Sequence, residues 1–97
     1  MDRLSVSQVY LLERYSPGMT TYSAVASVDA VRRACARKSS NGHAVRLMWS
    51  LVMPDDEALF LVIEAPDRDL IAGVCAEAGL TYDRATPALA VGDGTPC

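Results

Sequence analysis

A chain of 97 residues with 51% hydrophobic and 22% charged side chains has the length of one domain, able to bury roughly 60–65% of its unfolded surface, and is more apolar than a lone domain of that size requires. A net charge of −3, with no basic stretch interleaved with aromatics, excludes the footprint of a nucleic-acid binder. No run reaches the ~18 apolar residues of a membrane-spanning helix, the opening MDRLSVSQ lacks a secretory apolar region, and the cysteines at 35, 75 and 97 form no CxxC pair, so the expected chain is cytoplasmic with reduced thiols.

After an irregular lead-in over 1–6, residues 7–15 (SQVYLLERY) read as a first strand, with Val9 and Leu11 on one face and Tyr10 and Leu12 on the other. Residues 16–23 contain Pro17-Gly18, a turn signal, and form a loop long enough to be a place to look for function. Ser27 is the expected N-cap of a helix, with Asp29 in its first turn and an apolar stripe of Val28, Val31, Ala34 and Cys35. Arg32, Arg33, Arg37 and Lys38 sit late in that helix, where cations complement the dipole, and read as a solvated face. Residues 44–53 (AVRLMWSLVM) and 58–64 (ALFLVIE) are two apolar runs joined across the acidic turn Pro54-Asp55-Asp56-Glu57, a hairpin pattern.

Pro66 stops the third strand and Asp67 caps a second helix, whose face carries Leu70, Ile71, Val74, Cys75 and Ala78 before Gly79 closes it. Residues 82–91 read as a last strand; Pro87 within it lacks a backbone donor, which places that strand at a sheet edge. Residues 92–97 (GDGTPC) have nothing to bury and are expected to form a flexible tail, leaving an ordered core of about 7–91 in a single domain spanning 1–97.

The order β-α-β-β-α-β is the split βαβ pattern of an α+β ferredoxin-like sandwich, with the first and third strands central and both helices on one face. Val9, Leu11, Leu61 and Ile63 on odd positions are matched by Tyr10, Leu12, Phe60 and Val62 on even ones, whereas a sheet with one wet face alternates apolar with polar. The second face therefore calls for a cover. A second subunit on a two-fold axis supplies it, making a dimeric α+β barrel.

Glu64-Ala65-Pro66-Asp67 with the apolar helix after it, the exit Gly79-Leu80-Thr81-Tyr82-Asp83, the earlier Glu13-Arg14-Tyr15-Ser16-Pro17-Gly18 and the Pro54–Glu57 turn, taken in this order over roughly residues 8 to 91, resemble a family of small ferredoxin-like domains of unknown function whose namesake is a nickel-binding protein. The resemblance implies a small homodimeric ligand- or metal-binding protein. Metal-binding members carry one histidine in the helix after the EAPD-like motif and another just before its closing glycine, where this chain has Cys75 and Ala78, so the implied nickel site is degenerate here and nickel, if bound, is bound weakly.

Read from the residues, the donors for a metal are His43 and Cys75, the first following Gly42 in a loop and the second on an apolar helix stripe, and their simpler accounts are a solvated histidine and a small buried hydrophobe. Tyr10, Trp49 and Arg46 are the candidate contacts for a small hydrophobic ligand. Glu13 and Glu64 are the candidate general bases of an alternative reading, a cofactor-independent barrel enzyme, although an antiparallel central pair puts them at opposite ends of the sheet. A third reading is an interaction module without chemistry, in which the same charges form ion pairs and the same aromatics pack.

Overall fold

The first strand, β1 (Gln8–Tyr15), pairs antiparallel with both β3 (Ala58–Ala65) and β4 (Arg84–Ala88), and β3 pairs antiparallel with β2 (Arg46–Met53), in a computed structural model that describes residues 8–89. The resulting four-stranded sheet has the order β2-β3-β1-β4, compatible with a ferredoxin-like fold. Two helices, α1 (Thr21–Ser40) and α2 (Arg68–Ala78), join the strands. The expected lead-in over 1–6, the tail over 92–97 and Cys97 lie outside the described residues.

Local signals set most element ends. The Asp67 side chain accepts the Leu70 amide at 2.9 Å, and Gly79 adopts φ 71°, the left-handed cap that closes α2. The Pro54–Asp56 segment is a single 3-10 turn, and β4, which carries Pro87, is an edge strand as its proline requires. The start of α1 departs furthest from expectation, at Thr21 and not after Ser27, while β2 begins at Arg46 instead of 44 and β4 at Arg84 instead of 82. Thr20 is the true cap, its hydroxyl accepting the Ser23 amide while the Ser23 hydroxyl accepts the Thr20 amide, both at 3.0 Å. This reciprocal pair, together with buried Ala24 one turn before Val28, extends the helix and shortens the preceding loop to residues 16–20.

The register of the central pair decides what each strand position does. Tyr10 lies opposite Ile63 and Leu12 opposite Leu61, so even positions of β1 share a face with odd positions of β3. Tyr10, Leu12, Leu59, Leu61, Ile63 and Ala65 form one buried cluster with Val28, Val31, Cys35, Ile71, Val74 and Cys75 of the helices. Both helices thus cover that face. The grouping expected by residue parity, with Tyr10 and Leu12 on the same side as Phe60 and Val62, is corrected: the two strands are offset by an odd step, so Phe60 and Val62 join Val9 and Leu11 on the face away from the helices.

In β2 a bulge at Met48 shifts the register between Leu47 and Trp49. Leu47, opposite Ile63, points into the core, and Trp49, opposite Val62, points away from it. In a regular strand these two side chains, two positions apart, would share a face.

Candidate functional site

The sheet face away from the helices is built by Trp49, Leu51 and Met53 of β2, Phe60 and Val62 of β3, and Leu11 and Tyr15 of β1. Trp49 is 63% exposed, Leu51 48%, Met53 41% and Tyr15 50%, while no element among the described residues lies over them. Tyr15 and Phe60 meet edge to face, their ring centroids 6.1 Å apart at 84°. The three strands that supply these residues, at ~4.8 Å spacing with eight residues each at ~3.3 Å rise, give this face a plan area of roughly 380 Å². That matches the largest apolar patches monomers expose, which are commonly functional.

Among the described residues, charge on this face is confined to two pairs at diagonally opposite corners. Arg46 Nε lies 2.7 Å from Glu64 Oε1 on the β2–β3 side, and Arg84 Nε lies 3.2 Å from Glu13 Oε2 on the β4–β1 side. The corners cancel, so the face is electrically balanced. Tyr15 donates its hydroxyl to Glu13 Oε1 at 2.7 Å, and this bond, with burial and the Glu13 charge, raises the phenol above its ordinary range.

The chain matches no family model, no curated protein and no solved structure. Its site is therefore read from its own side chains.

Of the sequence-derived ligand contacts, Trp49 and Arg46 stand on the open face, while Tyr10 is 5% exposed inside the helix-facing core, with the Arg68 guanidinium 6.0 Å from its ring centroid. Glu13 and Glu64 both stand on the open face but face Phe60 and Val9 respectively, four positions apart, or about 13 Å along the strands. They do not converge on one reacting atom. Glu13 has both oxygens engaged, one by Arg84 and one by Tyr15, and Glu64 is held by Arg46.

The two metal donors sit in different surroundings. His43 is exposed and lines an open hollow with Pro66, Asp67, Asp69 and Leu70, and the Asp67 carboxylate is already engaged in capping α2. Cys75 is 2% exposed in the core, where burial, with nearby Cys35 adding to it, pushes its thiol up to about 11; it is protonated at neutral pH and a poor ligand. Among the described residues no group of three or more His, Cys, Asp or Glu side chains is arranged to hold a metal ion. These residues do not fit a nickel site. Calorimetric titration is expected to give a Ni²⁺ dissociation constant weaker than ~10 µM and an almost unchanged melting temperature, since stabilisation follows RT ln(1 + [L]/Kd). A stoichiometric sub-micromolar site that vanishes in His43→Ala or Cys75→Ala would overturn this.

Leu51, Met53 and Tyr15 belong to the open face and were not singled out by the sequence. Tyr15 was within reach, two positions beyond Glu13 and four beyond Leu11 on an alternating strand. Leu51 and Met53 were not, because their face depends on the bulge. No helix among the described residues is long and apolar enough to cross a membrane.

Proposed function

We propose that the chain acts as a homodimer in which the open sheet faces of two copies pack against each other and hold a small hydrophobic ligand between them. The observation that carries this reading is the exposed apolar face of Trp49, Leu51, Met53, Phe60 and Val62 on a sheet whose other side is already filled by helices. Its charge balance favours a second copy as the cover. With Glu13, Glu64, Arg46 and Arg84 already paired at the corners, two such faces meet without net repulsion, and a strongly charged partner finds nothing to steer it. The bulge at Met48 and the exposed rings of Trp49 and Tyr15 leave an uneven surface, so two such faces brought together enclose apolar-lined gaps of the kind in which small ligands bind.

A second reading, catalysis on that ligand, rests on Glu13, the carboxylate that projects among apolar neighbours with 14% of its side chain exposed. Proton transfer there requires release from Arg84 or Tyr15 first, which makes ligand binding the reading with fewer steps.

Sedimentation equilibrium at micromolar concentration, followed by native mass spectrometry of protein taken from a rich lysate, tests the proposal. The expected result is a species of twice the 10.4 kDa chain mass with an additional small mass retained. A dimer without retained mass would leave a plain interaction module, and a species of single chain mass would sink the reading.

A further inference from the structure

We propose that the hollow between the β1 end, the following loop and α1 is a separate binding site that takes a small organic acid by its carboxylate. This hollow, of about 230 Å³, lies on the helix side of the sheet, since Leu59, Ala24 and Ser27 line it, and so it is independent of the open apolar face. Arg14, Ser16, Ser23 and Ser27 are its polar lining side chains, and Met19, Ala24 and Leu59 are among its apolar ones.

Arg14 carries the argument. Among the described arginines it alone is half-buried, the others being exposed, and no described carboxylate pairs with it, whereas Arg32, Arg37, Arg46 and Arg84 each have an acidic partner. A guanidinium cannot shed its charge, so partial burial without a counter-ion is unfavourable and is relieved by an anion. Arg14 is also held in place: its Nη1 donates to the Thr81 carbonyl at 2.7 Å and to the Thr81 hydroxyl. That tie uses one end of the fork and leaves Nε and Nη2 with no protein partner among the described residues, the pair of donors that suits a carboxylate.

The rest of the hollow fits the same ligand. The half-buried Ser27 hydroxyl has no side-chain hydrogen bond among the described residues and is a further donor. The Glu57 carboxylate, which would oppose an anion, is engaged by the Gly18 amide at 2.7 Å and does not line the hollow. Glu57 adopts φ 50°, the left-handed conformation rare for a residue with a Cβ, and the Ser16 amide donates to its carbonyl at 3.0 Å, so the β2–β3 turn is tied to the loop that follows β1. Met19 and Leu59, which also line the hollow, give the acid's short carbon body an apolar surface, which a bare inorganic ion does not use.

The test is an amide-resolved NMR titration of the full chain with butyrate and, separately, inorganic phosphate, at ionic strength held constant with chloride. Saturable butyrate shifts are expected at Ser16, Gly18 and Ser27, with millimolar affinity that falls by at least about tenfold in Arg14→Lys. Ser27→Asp leaves the Arg14–Thr81 tie intact, places a carboxylate in the hollow and is expected to abolish the shifts, so the test survives if an Arg14 variant folds poorly. Phosphate binding as tightly as butyrate would overturn the organic-acid assignment. Shifts that do not saturate by about 100 mM, or that persist in Ser27→Asp, would overturn the site itself. Either outcome leaves the dimer question untouched, because that face lies on the other side of the sheet.

Discussion

Phe60→Arg is expected to turn the proposed dimer into a monomer, or into aggregate, at micromolar concentration. Phe60 lies in the middle of the open face, opposite Leu51 on one side and Glu13 on the other, with the Tyr15 ring edge against it. Two copies related by a two-fold axis would each bring an arginine to the centre of the same interface. The only carboxylate beside it among the described residues, Glu13, is already paired with Arg84. A desolvated cation without a partner costs about 3–5 kcal/mol, and the two-fold axis buries two of them, so a dimer with a micromolar dissociation constant weakens by roughly four to seven orders of magnitude. In the free subunit position 60 faces solvent, and the far-ultraviolet circular dichroism of the variant should match that of the parent. Sedimentation equilibrium reads the result directly; an unchanged dimer in Phe60→Arg would place the subunit contact somewhere other than this face.

Leu61→Ala, one residue along the same strand, is expected to act on folding and not on association. Leu61 is 1% exposed, lies opposite Leu12 and Ser50 on the two flanking strands, and belongs to the cluster under both helices. Removing its branched end leaves a cavity in close-packed surroundings, worth about 2–5 kcal/mol, against a total stability of about 5–15 kcal/mol for a domain of this size. A melting temperature lower by roughly 10–30 °C follows, with the same loss at every protein concentration. Denaturant unfolding of Leu61→Ala beside Val62→Ala separates the faces: the first should lose stability in monomer and dimer alike, the second mainly where the dimer forms. A loss below about 1 kcal/mol in Leu61→Ala would mean that the site can collapse around the missing atoms or that its face is not the core.

Most of the element order was legible because local chemistry announces itself. The Pro17-Gly18 turn, the acidic Pro54–Asp56 turn with Glu57 after it, the Asp67 cap and the Gly79 stop each act through their own backbone or side chain within a few residues, and each stands where the pattern placed it. The apolar stripes of α1 and α2 were readable for the same reason, since a period near 3.6 depends on no other element. The start of α1 was missed because Ser27 and Asp29 look like a helix opening, and the reciprocal Thr20–Ser23 cap uses serine where glutamate is the usual signal.

What the amino-acid sequence determined by itself is therefore the set of elements and the excess of apolar side chains over what one set of helices can cover. Which strand positions look inward was decided only by tertiary structure: β1 and β3 pair with an odd offset, so Tyr10 is buried with Leu61 while Phe60 joins Leu11 outside, and an extra residue at Met48 turns Trp49, Leu51 and Met53 to the open face. The half-buried Arg14 likewise emerged only when α1, the residue 16–20 loop and Thr81 met at one end of the sheet. Side-chain alternation has a period of two, so a single step in register reverses every assignment along a strand, and that step is set by contacts between segments some fifty residues apart in the chain, such as Tyr10 with Ile63.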